Sequence, residues 1–133
     1  MSAPSFADEA ATGSIDISIT SARSTRGNML VCITPDATRF PNCRGDARAR
    51  TLTIPASAPH AHITGLAPGT WAIAVVHDEN GNGRMDTMLG MPREGVGASR
   101  NPAMRMGPPR FADAAFAVGS APVSQSVRLR YIL

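Results

Sequence analysis

Hydrophobic and polar residues alternate with a two-residue period in several short stretches, and nowhere with the period of a helix. Ile15-Asp16-Ile17-Ser18-Ile19-Thr20 alternates strictly, the signature of a strand with one face buried. Arg26-Gly27-Asn28 then turns the chain into Met29-Leu30-Val31-Cys32-Ile33, which is apolar on both faces and stops at Pro35. Residues 36–48 are loop-like, with room for one helical turn near residues 46–48. Residues 50–54 and 60–63 bracket a proline-containing turn and form two more short strands. Pro68-Gly69 turns the chain into residues 70–77, the most apolar strand of the sequence, and residues 115–118 and 124–131 alternate again at its end. About seven short strands separated by turn residues predict an all-β fold, a single antiparallel β-sandwich. Residues 1–13 lack any period and read as a flexible N-terminal tail, which leaves one domain over residues 14–133.

Composition sharpens this picture without changing it. The chain has 133 residues, the length of one domain, and its 12 Gly and 11 Pro suit many short elements. Its longest apolar run is six residues, 71–76, so the sequence is not read as membrane-spanning. All 13 basic residues are Arg, spread along the chain in loose groups such as Arg44, Arg48, Arg50 and Arg100, Arg105, Arg110. With a net charge of only +3 and few aromatics to interleave with them, nucleic acid is excluded as a partner. Cys32 and Cys43 close a short loop at a strand end. A disulfide is the preferred reading over two thiols or a thiolate metal site, which lacks a second ligand pair. An oxidising compartment, periplasmic or extracellular, follows from it. No signal peptide is visible; the N-terminus reads as a mature chain whose leader was replaced by a start codon, in preference to a cytosolic one.

The pattern dissolves between residues 78 and 110, too long a stretch for a passive connection. It opens with Asp78-Glu79-Asn80-Gly81-Asn82-Gly83-Arg84-Met85-Asp86. Oxygen-bearing side chains at positions one, three, five and nine, with Gly83 at six, match the first nine positions of a calcium loop. Asp78, Asn80, Asn82 and Asp86 are the expected side-chain ligands and Arg84 the carbonyl ligand. Position twelve is Leu89 in place of the usual Glu, and no flanking helices are predicted, so this is no EF-hand. Glu94 is the candidate for the missing carboxylate, by folding back. The competing reading is a plain hairpin turn, because Asn-Gly occurs twice here.

Residues 77–95, His-Asp-Glu-Asn-Gly-Asn-Gly-Arg-Met-Asp-Thr-Met-Leu-Gly-Met-Pro-Arg-Glu-Gly, resemble the core motif of a bacterial family of uncharacterised secreted proteins, domain of unknown function 2141. The resemblance continues through Gly97-Ala98-Ser99-Arg100-Asn101, Gly107-Pro108-Pro109-Arg110-Phe111 and Asp113-Ala114-Ala115-Phe116. Upstream it takes in Leu66-Ala67-Pro68-Gly69-Thr70-Trp71-Ala72. It implies an exported protein with an immunoglobulin- or transthyretin-like sandwich, and it implies no reaction.

Two weaker constellations remain. Met85, Met88 and Met91 recur every third residue, and with His60, His62 and His77 they are conceivable copper ligands, although Met also fills irregular apolar gaps. A long Gly/Pro/Met-rich loop can also line an apolar groove, with His77, Met91, Met104, Met106 and Phe111 in contact with a small molecule, a lipid or a partner protein. No nucleophile-and-base motif, zinc-protease motif or phosphate loop occurs, so the chain is read as non-enzymatic. The reading is therefore a binding protein organised by calcium, with an apolar carrier as its alternative and a copper protein behind both.

Overall fold

A computed structural model describes residues 12–83, 87–88, 91–92, 94–103 and 107–131. The expected tail lies outside them as far as residue 11, and Gly13 already opens the first strand. The described residues form, in order, β1 (Gly13–Thr20), β2 (Asn28–Thr34), β3 (Arg50–Pro55), β4 (His60–Leu66), β5 (Gly69–Asp78), β6 (Thr87–Met88), β7 (Met91–Pro92), β8 (Gly95–Ala98), the helical turn α1 (Phe111–Ala114), β9 (Phe116–Val118) and β10 (Val123–Arg128).

Two sheets make the sandwich. One has the order β10-β1-β4; the other runs β3-β2-β5-β8, with β9 paired to the first residues of β5. A third, two-stranded sheet, β6-β7, lies within the long loop. All seven strands expected from the alternation are present, and their cause is visible in their burial. Ile15, Ile17 and Ile19 of β1 point inward while Asp16, Ser18 and Thr20 point out, because successive side chains of a strand take opposite faces. Met29, Val31 and Ile33 of β2, Trp71, Ile73 and Val75 of β5, and Val127 complete a single apolar core with them.

The outward face of the second sheet is covered as well, which explains why β2 and β5 read as apolar on both faces. Ala72, Ala74 and Ala98 lie there under Phe40 and Ala114, with Phe111 packed at the edge. The small side chains let the 35–49 loop and α1 approach the sheet closely. Phe40 and Phe111 meet edge to face with ring centroids 5.9 Å apart. The Cys32–Cys43 disulfide, with Cα atoms 5.7 Å apart, ties that loop to β2.

β6, β7 and β8, inside the stretch where no strand was expected, escaped the alternation, and so did three features of the pairing. β10 pairs parallel to β1, so the first and last strands are neighbours in an otherwise antiparallel arrangement. Just past β10, Arg130 exchanges two backbone hydrogen bonds of 2.9 Å with Val96, joining the two sheets at one corner. The side-chain amide of Asn101 fills the adjoining gap, donating to the Ser126 carbonyl (2.9 Å) and accepting from the Arg128 amide (2.8 Å).

Candidate functional site

β5 delivers His77, Asp78 and Glu79 to one end of the sandwich, where the 21–27 connection, residues 94–95 and Tyr131 converge on them. His77 continues the inward series of Trp71, Ile73 and Val75, and it is fully buried. A carbonyl only accepts, so Nε2 of His77 donates to the Arg26 carbonyl at 2.8 Å. Nδ1 shares a hydrogen bond of 2.7 Å with the Tyr131 hydroxyl, which also accepts from the Arg23 amide at 3.0 Å. These contacts fix the ring and satisfy both of its nitrogens. Burial pushes the Tyr131 phenol above its usual range.

Glu79, which the sequence reading passed over, is the electrostatic centre of this end. Its Oε1 accepts from Arg23 at Nε (3.0 Å) and Nη2 (2.7 Å), and its Oε2 accepts from the Ser24 hydroxyl at 2.8 Å. The Arg23 hydrogen bonds, with smaller help from Ser24, pull its carboxyl down to about 2 against the opposing cost of burial. The same contact raises Arg23. The Arg23 guanidinium also lies 4.5 Å over the Tyr131 ring centroid, a cation–π contact. No local motif marks this group. Its only trace in the sequence is an Arg-Ser-Thr-Arg turn, which the β2–β5 register places opposite the end of β5.

Asp78 is only 1% exposed and organises the loop that follows it. Its Oδ2 accepts from the Gly83 amide at 2.7 Å and its Oδ1 from the Asn82 amide at 3.3 Å, while Asn80 Oδ1 also accepts from Asn82 N at 3.2 Å. Gly83 has φ +80°, a left-handed turn that glycine makes without steric cost. Glu94 does fold back: buried at 4% exposure, its Oε2 accepts from the Glu79 amide at 3.0 Å, one residue from Asp78. Arg84 and Asp86, the other two expected ligands, lie outside the described residues. Among the described residues no three acidic, histidine or cysteine side chains converge as a metal-ligand set.

The residues of the apolar and copper readings are dispersed or undescribed. Phe111 packs on Phe40 against the outer face of the second sheet, at a different place from His77. Met104 and Met106, like Met85, fall outside the described residues. Met91 is placed by its backbone opposite Met88 in the β6–β7 pair. His60 and His62 are exposed on β4, where His62 meets Asp16 at 2.5 Å, whereas His77 is buried between the sheets with both ring nitrogens engaged. No helix among the described residues is long and apolar enough to cross a membrane.

A two-sheet β-sandwich carrying a buried polar cluster and an acidic, glycine-rich loop at one end is the class of protein these features define. The model of the family described as an uncharacterized protein conserved in bacteria (DUF2141) matches residues 17–126, and the chain belongs to that family. No curated protein and no solved structure matches it.

Proposed function

We propose that this chain is an exported, non-enzymatic binding protein in which calcium organises the 78–86 loop into a recognition surface. The observation that carries the reading is the return of Glu94 to the start of the loop, which brings a second buried carboxylate onto the Glu79 amide, next in sequence to buried Asp78. The amides of Asn82 and Gly83 engage Asp78, yet a carboxylate oxygen has two lone pairs, so these bonds leave room for a cation. Asn80, Asn82 and Asp86 would add side-chain oxygens, Arg84 its carbonyl, and water the rest of the six to eight ligands calcium takes. Such an ion offsets the repulsion of clustered carboxylates and holds the long loop against the sandwich. The Cys32–Cys43 pair supports an oxidising compartment outside the cytoplasm.

Limited proteolysis tests this reading. Asp78→Asn removes the charge and keeps an acceptor for the loop amides. With calcium present, the parent loop should resist cleavage at least tenfold longer than the variant loop, while both cores unfold at similar temperatures. Equal cleavage of the two loops in calcium and in chelator contradicts the proposal.

A further inference from the structure

The opposite end of β5 borders a separate part of the surface. A cleft of about 320 Å3 opens there between Pro35, Pro68 and the indole of Trp71, with Arg48 and Arg50 at its mouth. We infer that this cleft binds a small organic anion, a carboxylate joined to an apolar body, gripped by Arg48 and Arg50 and seated against Trp71 and the two prolines.

Three observations support the inference. First, Arg48 and Arg50 are exposed and line the same opening, and neither guanidinium makes an ion pair among the described residues; Arg48 acts only at longer range on Asp36. Two such cations at one opening favour an anion, and their planar donor forks match a carboxylate. Second, the arginines stand on fixed backbone. Buried Thr34 donates to Asp46 Oδ2 at 2.5 Å, and Asp46 Oδ1 accepts from the Arg48 amide at 3.0 Å. Arg50 opens β3 in register with Ile33. Third, the wall is pre-formed. Trp71 is held by its indole N–H on the Ala67 carbonyl at 2.9 Å, and the exposed Gly65 and Gly69 line the cleft without side chains to fill it. An apolar wall with a few placed charges at the mouth is the usual composition of a small-molecule site. Seven steps along the strand separate Trp71 from Asp78, roughly 23 Å, so this site stands apart from the acidic loop.

Trp71 is the chain's only tryptophan and lines this cleft, so its emission follows binding there, with calorimetry separating binding from changes in the core it also packs against. The purified protein is titrated with phenylacetate, benzoate and hexanoate, with neutral phenylacetamide and inorganic phosphate as comparisons, and calorimetry is run in parallel. At least one of the three carboxylates should bind saturably. Phenylacetamide and phosphate should each bind at least tenfold more weakly than phenylacetate. Combining Arg48→Gln with Arg50→Gln should weaken binding at least tenfold, since each charge-assisted contact carries about tenfold in affinity. Arg44→Gln, at an exposed arginine outside the cleft, should change nothing. Asp78→Asn should also bind like the parent, which separates this site from the calcium loop. The inference is overturned if none of the three carboxylates binds saturably, or if the double variant binds like the parent. Phosphate binding as tightly as phenylacetate also overturns it, because the apolar wall would then play no part.

Discussion

Reducing the Cys32–Cys43 bond changes no packed atom except its two sulfurs, yet it should cost a large part of the protein's stability. The bridge spans a sequence separation of 11. Loop closure of that length removes about 9–10 cal/mol/K of entropy from the unfolded chain, or about 3 kcal/mol at room temperature. For 133 residues, with unfolding entropy near 2.1 cal/mol/K per residue, this corresponds to a midpoint lowered by about 10 °C. The effect should also be uneven. The loop the bridge pins carries Phe40 onto Ala72 and Ala74, so amides of residues 35–49 should exchange faster on reduction than those of β1. The assay is thermal unfolding by circular dichroism with and without reductant, after peptide mapping has verified the bond. A reduced midpoint within about 2 °C of the oxidised one would refute the argument.

Two further outcomes follow from the polar cluster and the second sheet. The folded Glu79 carboxyl sits at about 2, below its usual 4.5, so its contribution is complete above pH 4.5 and disappears as pH falls towards 2. The full shift corresponds to about 3 kcal/mol. Solvent screening of the half-exposed Arg23 partner reduces this to about 1–2 kcal/mol. Glu79→Gln should therefore lose that much at pH 7 and under about 0.5 kcal/mol at pH 2, measured by denaturant unfolding in chelator; an equal loss at both pH values contradicts the ion pair. Ser99 is fully buried, accepting from the Ile73 amide at 3.0 Å and donating to the Ala114 carbonyl at 2.6 Å. Ser99→Ala strands both groups and should cost about 1–3 kcal/mol, and a change under 0.5 kcal/mol in the same assay would count against this role.

The strands that build the core were legible because each buries one face, and burial writes itself into the sequence as alternation. β8 was not, because Gly95-Val96-Gly97-Ala98 carries almost no apolar pattern. It is a strand for a different reason. A Cβ on Gly95 would strike the Tyr131 ring and one on Gly97 the Arg128 carbonyl, so glycine lets the chain end cross there. The parallel β1–β10 pair and the Arg23–Glu79 contact depend on register between distant segments, which local periodicity does not encode. Within the acidic loop the spacing of Asp78, Asn80 and Asn82 was readable, and so was the return of Glu94. The burial of His77 against Tyr131 was not, since it depends on where the chain's last residues pass.

The central claim is a calcium-organised loop, and thermal unfolding of chelator-treated protein tests it most directly, with millimolar calcium added to one sample and magnesium to another. Calcium at a hundredfold over its dissociation constant would stabilise the native state by about 2.7 kcal/mol. The midpoint should rise by several degrees with calcium, stay in place with magnesium, and not respond in Asp78→Asn. One midpoint shared by chelator, calcium and magnesium would contradict it and leave the 78–86 segment as a hairpin turn.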